Sequence, residues 1–248
     1  MIRLAAGPEA LSQKAAELIA SRAREAVAKR GRFSVALAGG STPRGTYERL
    51  ARSPLREHVP WERVDVFWGD ERCVSPDDPR SNQRMARRAL LDHIPLPSTR
   101  IHPIPCEDEP AAAARRYEKE LHGFFAPGPP VFDLVLLGLG GDGHTASLFP
   151  GDPALRERDR WVAAVRKPGE DFARLTLTLP LLNRAAQILF LVSGGGKAAI
   201  LAKVLEGPPG RLPAQLVAAG AAEVCWLVDR AAAGKVSGVS LQAEDEGR

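Results

Sequence analysis

The densest run of chemistry-bearing residues is Gly138-Leu139-Gly140-Gly141-Asp142-Gly143-His144-Thr145-Ala146-Ser147-Leu148-Phe149-Pro150. An imidazole is the side chain best suited to moving protons near neutral pH. Bare glycines around it leave room for another molecule to approach the backbone. The run follows an apolar stretch, so a glycine-walled turn presents His144 to a cavity at a strand end. Gly138, Gly140 and Gly143 also fit the G-x-G-x-x-G spacing of a dinucleotide site. Pro150, Gly151 and Pro153, however, cut the following helix to about two turns, and the run lies mid-chain, so that reading is not adopted. His58, His93, His102 and His122 lie in helical or proline-rich surroundings and are expected to be structural.

Two other strand-to-loop junctions carry polar chemistry. In Ala38-Gly39-Gly40-Ser41-Thr42-Pro43, the glycines allow close backbone approach and the helix start supplies free N–H groups. Ser41 and Thr42 add hydroxyl donors, a combination suited to a phosphate, with Ser41 or Thr42 as a hydroxyl N-cap. Pro43 stands where a nucleophile elbow demands glycine. In Trp68-Gly69-Asp70-Glu71-Arg72, two carboxylates and a guanidinium can position a polyol and polarise a carbonyl, with Asp70 the more credible carboxylate as the first off the strand. Arg174 opens a strand, and Lys197 follows Gly194-Gly195-Gly196 at a helix start, a second anion site. That segment lacks the spacing and the Ser/Thr of a Walker A box.

The elements that must position these groups alternate. Apolar residues in steps of three and four predict a helix over 9–30, closed by Gly31. Short apolar runs predict strands at 33–38, 64–68, 132–137, 187–192 and 224–228, with a half-buried strand at 174–179 halted by Pro180. Helices are predicted after Ser41, over 82–93 and 109–125, and over 197–205. That alternation predicts an α/β fold, a Rossmann-like and mostly parallel sheet flanked by helices, in a single domain spanning 1–248. Ligands of such sheets bind beyond the carboxyl ends of the strands, where the three junctions lie.

Composition bounds the rest. The 248 residues carry a net charge of +4, 44% hydrophobic and 26% charged residues, ordinary globular values that exclude a disordered chain. The pI of about 9.2 hints at an anionic partner. With aromatics at only 6%, and with Arg84, Arg87 and Arg88 reading as a solvated helix face, no nucleic acid is expected. No apolar run is long enough to span a bilayer and the first residues do not read as a signal peptide, so no membrane is expected and the location is taken as cytoplasmic. Cys73, Cys106 and Cys225 show no zinc spacing and read as reduced, inert thiols. No metal and no cofactor are expected.

Five blocks in order carry a resemblance. They are Ala38-Gly39-Gly40-Ser41-Thr42-Pro43, Gly69-Asp70-Glu71-Arg72-Cys73-Val74 with Ser81-Asn82, the run from Gly138 to Gly151, Arg174-Leu175-Thr176-Leu177-Thr178, and Gly196-Lys197-Ala198. Together they resemble the 6-phosphogluconolactonase family of the pentose phosphate pathway, from Ser34 to Val228. The resemblance implies hydrolysis of a small phosphorylated sugar lactone, with His144 as general base; a monomer is expected, although the sequence itself does not give the oligomeric state. It implies that Arg72 polarises the carbonyl or stabilises the oxyanion, with backbone N–H groups of the glycine turn as the alternative. It further implies that Asp142 orients His144 or binds sugar hydroxyls, that Gly39, Gly40 and Asp70 belong to the substrate site, and that Ser41, Thr42, Arg174 and Lys197 hold the phosphate. The related glucosamine-6-phosphate deaminases share three blocks but carry a catalytic Glu where this chain has Phe149. A non-catalytic sugar-phosphate regulator would need a DNA-binding module, and the roughly thirty residues before the first predicted strand hold only one helix.

Overall fold

The computed structural model describes residues 1–107, 109–218, 221 and 223–237. Nine strands are described: β1 Ile2–Ala5, β2 Phe33–Leu37, β3 Val64–Trp68, β4 Asp70–Arg72, β5 Leu134–Leu137, β6 Val162–Val165, β7 Arg174–Leu177, β8 Gln187–Val192 and β9 Glu223–Asp229. The α-helices are α1 Pro8–Arg30, α2 Ser41–Leu50, α3 Leu55–His58, α4 Asn82–Ala89, α5 Pro110–Phe125, α6 Leu179–Leu182, α7 Ala198–Glu206, α8 Pro213–Ala218 and α9 Arg230–Ala233. Six strands form one sheet in the order β1-β9-β8-β5-β2-β3, parallel throughout; β4, β7 and β6 form a second, antiparallel sheet. Strands β2, β3, β5 and β8 are buried along their whole length. That matches their continuous apolar composition and a parallel sheet covered on both faces.

The strand order fixes where a ligand can sit. From β2 the chain moves outward to β3, whereas from β5 it moves the other way to β8 and β9. The direction reverses between β2 and β5, which places a crevice between their carboxyl ends. Gly39 and Gly138 follow those two ends. At the end of β3, Gly69 lets the chain leave one sheet for the other: its N–H donates to the Leu37 carbonyl (2.9 Å) and its carbonyl accepts from Leu177 N–H (2.8 Å).

The predicted mostly parallel sheet flanked by helices is observed, with local differences. β1 occupies an edge position ahead of α1, so the first strand comes at residue 2 and not after a helix. The helix predicted over 82–93 stops at Ala89 and continues only as a 3-10 turn, Leu91–His93. β5 starts two residues late, because Asp133 turns its carboxylate onto the N–H and hydroxyl of Ser34 (2.7 and 2.9 Å). β7 ends at Leu177 and Pro180 falls in the first turn of α6. No helix follows His144; residues 141–152 are successive turns, since the glycines and prolines there leave no helical run. Ser41 is the first residue of α2, not its cap: Gly40 holds that position with φ +106 and no side-chain bond caps the helix.

Candidate functional site

Two buried tyrosines fix the strand ends that frame the crevice. Tyr47 of α2 accepts from Ala38 N–H (3.0 Å) and donates to the Ala38 carbonyl (2.9 Å), just beyond β2. Tyr117 of α5 repeats the arrangement on Trp68, at the end of β3 (3.1 and 3.3 Å). Each phenol closes a backbone donor and acceptor that the sheet leaves open. Burial drives both phenols far above their ordinary pKa, so they act only as neutral hydrogen-bonding groups.

β4 sorts the charged residues of the second junction by strand alternation. Asp70 and Arg72 face the crevice, while Glu71 points the other way and is 1% exposed. Glu71 accepts from the N–H groups of Asn82 and Gln83 (2.7 Å each), from Arg72 N–H (2.7 Å) and from the Ser81 hydroxyl (3.2 Å). Burial raises its carboxyl above the usual range despite those donors, and the Asp70 charge adds to the rise. It thus anchors the start of α4 and takes no part in the crevice. Asp70 accepts from the Ser147 hydroxyl (2.7 Å) and from the Asn82 amide (3.4 Å). Gly39 lies directly on Asn82: a Cβ there would fall 1.9 Å from its Oδ1.

Register aligns the two arginines, since Arg72 pairs with Arg174 across β4 and β7. Each is given a partner that offsets the repulsion. Arg72 donates from Nη1 to the Arg80 carbonyl (2.6 Å), and its buried Nε has no partner. Arg174 is gripped by Glu170 through Nε and Nη2 (2.7 Å each), and its Nη1 reaches the Ser147 hydroxyl (3.4 Å). The Arg174 guanidinium holds the Glu170 carboxyl below its ordinary range. Lys197 lines the same crevice, half-buried, with no side-chain partner among the described residues.

His144 stands in a turn stitched by its own backbone. Gly140 N–H donates to the His144 carbonyl (2.8 Å), and Gly143 N–H donates to the Gly140 carbonyl (3.0 Å). Gly143 holds φ +87 with Leu212 packed beside it, a conformation that favours glycine. Ala146, a non-glycine at φ +47, stores strain beside the crevice. Asp142 accepts from His144 at both backbone N–H (3.1 Å) and ring Nδ1 (2.5 Å). Partial burial raises the Asp142 carboxyl, but these two bonds outweigh it and hold the group ionised below the usual range. A carboxylate only accepts, so Nδ1 carries a proton, and the tautomer this selects is the one whose lone pair lies on Nε2. The ring packs against Phe149 (centroids 4.7 Å apart), which also lies under Arg174.

The crevice encloses about 250 Å³. Of the residues singled out in the sequence, it is lined by Gly39, Asp70, Arg72, His144, Arg174 and Lys197. Asp142 sits behind the imidazole, while Gly40, Ser41 and Thr42 form the adjoining start of α2, where Ser41 is exposed. Ser147, Asn82 and Glu170 hold the charged groups in place and received no role from sequence reasoning. Three of the other histidines have local partners: His102 contacts Glu120 (2.8 Å) and Asp65 (3.5 Å), His122 stacks on Trp161, and His93 meets the Arg88 carbonyl (2.9 Å). Among the described residues no three His, Cys, Asp or Glu side chains gather to hold a metal ion, and no helix is long and apolar enough to cross a membrane.

His144 and Lys197, the latter with no side-chain partner among the described residues, and strand-end glycines at a switch point define an α/β protein with a crevice whose chemistry suits a small anionic ligand. The model of the glucosamine-6-phosphate isomerases/6-phosphogluconolactonase family matches residues 6–226, and the chain belongs to that family. It is 49% identical to a 6-phosphogluconolactonase of Synechocystis over 203 residues, 79% of this chain and 82% of the relative. A solved 6-phosphogluconolactonase from Trypanosoma brucei superposes with a TM-score of 0.82 at 31% identity, over 96% of this chain and 98% of that one. A monomeric glucosamine-6-phosphate deaminase superposes with a TM-score of 0.80 at 27% identity, over 94% and 99%.

Proposed function

We propose that the chain hydrolyses 6-phosphoglucono-δ-lactone to 6-phosphogluconate, with His144 as the general base. The observation that carries this reading is the Asp142–His144 bond, which leaves Nε2 as an acceptor beside Arg72 and Lys197 in one crevice. In the proposed reaction a water attacks the lactone carbonyl while Nε2 takes its proton. Arg72 faces the developing oxyanion, and the glycine-turn N–H groups offer a second source of donors. Collapse breaks the ring C–O bond, and His144 returns its proton to the departing alkoxide oxygen, which becomes a hydroxyl. Asp142 orients the imidazole, and Asp70, fixed by Ser147 and Asn82, receives sugar hydroxyls. Lys197 and the α2 start at Gly40, Ser41 and Thr42 receive the phosphate, which pins the ring against the base. Arg174 adds positive field and its Nη1, since Glu170 already occupies its other face.

Phe149 favours this reading over deamination. It fills the position at which the deaminases carry their catalytic Glu, is 7% exposed, and packs on His144, so no carboxylate occupies that place. We further propose that one domain works as a cytoplasmic monomer without nucleic acid. One contiguous core, three free thiols and an exposed large-apolar set limited to Met1, Ile2 and Val131 among the described residues support this. The test is consumption of freshly generated lactone above its spontaneous hydrolysis, alongside ammonia release from glucosamine 6-phosphate. Faster lactone loss without ammonia is the expected result; ammonia release, or lactone loss at the spontaneous rate, overturns the proposal.

A further inference from the structure

Cys73 and Cys106 are separated by 33 positions, yet their Sγ atoms lie 2.9 Å apart. Neither side chain is there by accident of a loose loop. Cys73 directly follows β4 and its N–H donates to the Ala173 carbonyl (2.8 Å). The segment bearing Cys106 is fixed two residues earlier, where the carbonyl of the buried Ile104 accepts from the Gln83 side chain (2.7 Å). Both thiols are half-buried and line a surface pocket of about 270 Å³, separate from the crevice and sharing only Arg72 with it. Cys225, by contrast, is 1% exposed on β9.

We propose that Cys73 and Cys106 form a redox-modification site, which a low-molecular-weight disulfide such as oxidised glutathione converts to an intramolecular disulfide without disturbing the crevice. The Cys73 thiolate attacks one sulfur of the reagent, breaking its S–S bond and releasing one reagent thiolate. Cys106 then attacks Cys73 in the mixed disulfide, forming the protein S–S bond and releasing the second. The two protein thiols are oxidised, the reagent disulfide is reduced to two thiols, and the two protons pass to those thiols. The pair is arranged for this order. The hydrogen bond from the Cys106 thiol lowers Cys73 below the ordinary thiol range, with Arg166 helping against burial and nearby carboxylates, while Cys106 is raised. Closing the contact to a bond of about 2.05 Å moves the sulfurs together by roughly 0.9 Å. That is small enough to leave Arg72 on its Arg80 carbonyl.

The site rests on the two cysteines and not on the proposed reaction, and its primary readout is mass. The full chain is incubated with oxidised glutathione, then analysed intact and as peptides, with and without later reduction. Loss of two hydrogens, a reducible Cys73–Cys106 linked peptide and a Tm raised by about 5 °C or more are expected, because a cross-link over this span restricts the unfolded chain. In Cys106→Ser, one glutathionyl group should instead remain on Cys73. Lactone turnover should stay within about twofold on oxidation, since the crevice does not move. Stable glutathionylation of the unsubstituted chain, failure to lose two hydrogens, or loss of most turnover on oxidation would each overturn the proposal. If neither oxidised nor reduced protein consumes lactone, the proposed function fails while the mass result still decides the redox site.

Discussion

Gly140 offers the sharpest test of the His144 assignment, because it reaches the imidazole without altering any ionisable group. A Cβ at Gly140 would lie 2.0 Å from His144 Nδ1, 2.2 Å from Cε1 and 2.6 Å from Cγ. Ordinary contact begins at 3.4 Å, so Gly140→Ala must displace the ring by about 1.4 Å. Such a shift breaks the 2.5 Å bond to Asp142 and with it the fixed Nε2 lone pair. Misplacement of a reacting group by about 1 Å costs about 100-fold, and complete loss of a general base 10²–10⁴-fold, so kcat on fresh lactone should fall by roughly 10²–10³-fold. The fold should survive, because Gly140 has no left-handed φ and the colliding group is a side chain at a partly open surface. Gly141→Ala is the matched control: its Cβ meets nothing within 4 Å, and its loss should be at least about tenfold smaller. Near-parental turnover in Gly140→Ala, with an unchanged melting temperature, would show that His144 need not be held where the structure places it.

Three further outcomes follow from other parts of the molecule. Lys197→Ala should raise KM for the phosphorylated lactone far more than for the unphosphorylated one; equal effects on the two substrates would remove Lys197 from phosphate binding. Tyr47→Phe leaves the Ala38 N–H and carbonyl buried without a partner, so chemical denaturation should show a loss of about 1–3 kcal/mol. A stability equal to the parent would mean that the phenol bonds contribute nothing. His102 is held at about 9: burial alone would lower it, but bonds to Asp65 and Glu120 raise it above the ordinary value. Its contribution is therefore full below about pH 6.5 and lost as pH rises through about 9, so the stability gap between parent and His102→Gln should narrow over that window. A gap independent of pH would refute the charged pairing.

The sheet and the place of the site were readable from local patterns because each relevant signal is contiguous. Phe33–Leu37, Val64–Trp68 and the run into Gly138 announce buried strands, and the glycines after them mark the ends that frame the crevice. β4 was not readable as a strand, since three residues carry too little alternation to register a period. Had it been, the separation of Glu71 from Asp70 and Arg72 would have followed at once. Ser147 was hidden for a different reason. Its hydroxyl acts between Asp70, 77 positions away, and Arg174, 27 positions away, so its role exists only once β4 and β7 have paired. Glu170 lies in an irregular segment whose length says nothing of where its carboxylate turns, and so the occupied face of Arg174 was invisible. β1 escaped notice because Ile2–Ala5 is short and partly exposed at the sheet edge.

That occupied face changes how the positive charge of the crevice must be understood. Three cations and one carboxylate line it beside His144, which would make three equivalent phosphate ligands of Arg72, Arg174 and Lys197. Their partners make them unequal. Arg174 is neutralised by Glu170 and turned toward Ser147, so removing it would release Asp70 and Glu170 together, a scaffold failure more than a loss of substrate contact. Arg72 satisfies one nitrogen on a neutral carbonyl and so keeps its charge while losing its freedom, the condition for a preorganised group facing a developing oxyanion. Lys197 alone of the three has no side-chain partner among the described residues, and an ammonium on a long unbranched stem suits a tetrahedral dianion that approaches from solvent. Under the proposed function, the held cation would face the reacting carbonyl and the unpartnered one the remote phosphate. It follows that Lys197→Arg should preserve phosphate selectivity better than Arg72→Lys preserves turnover, because only the second site depends on a planar fork held in a fixed direction.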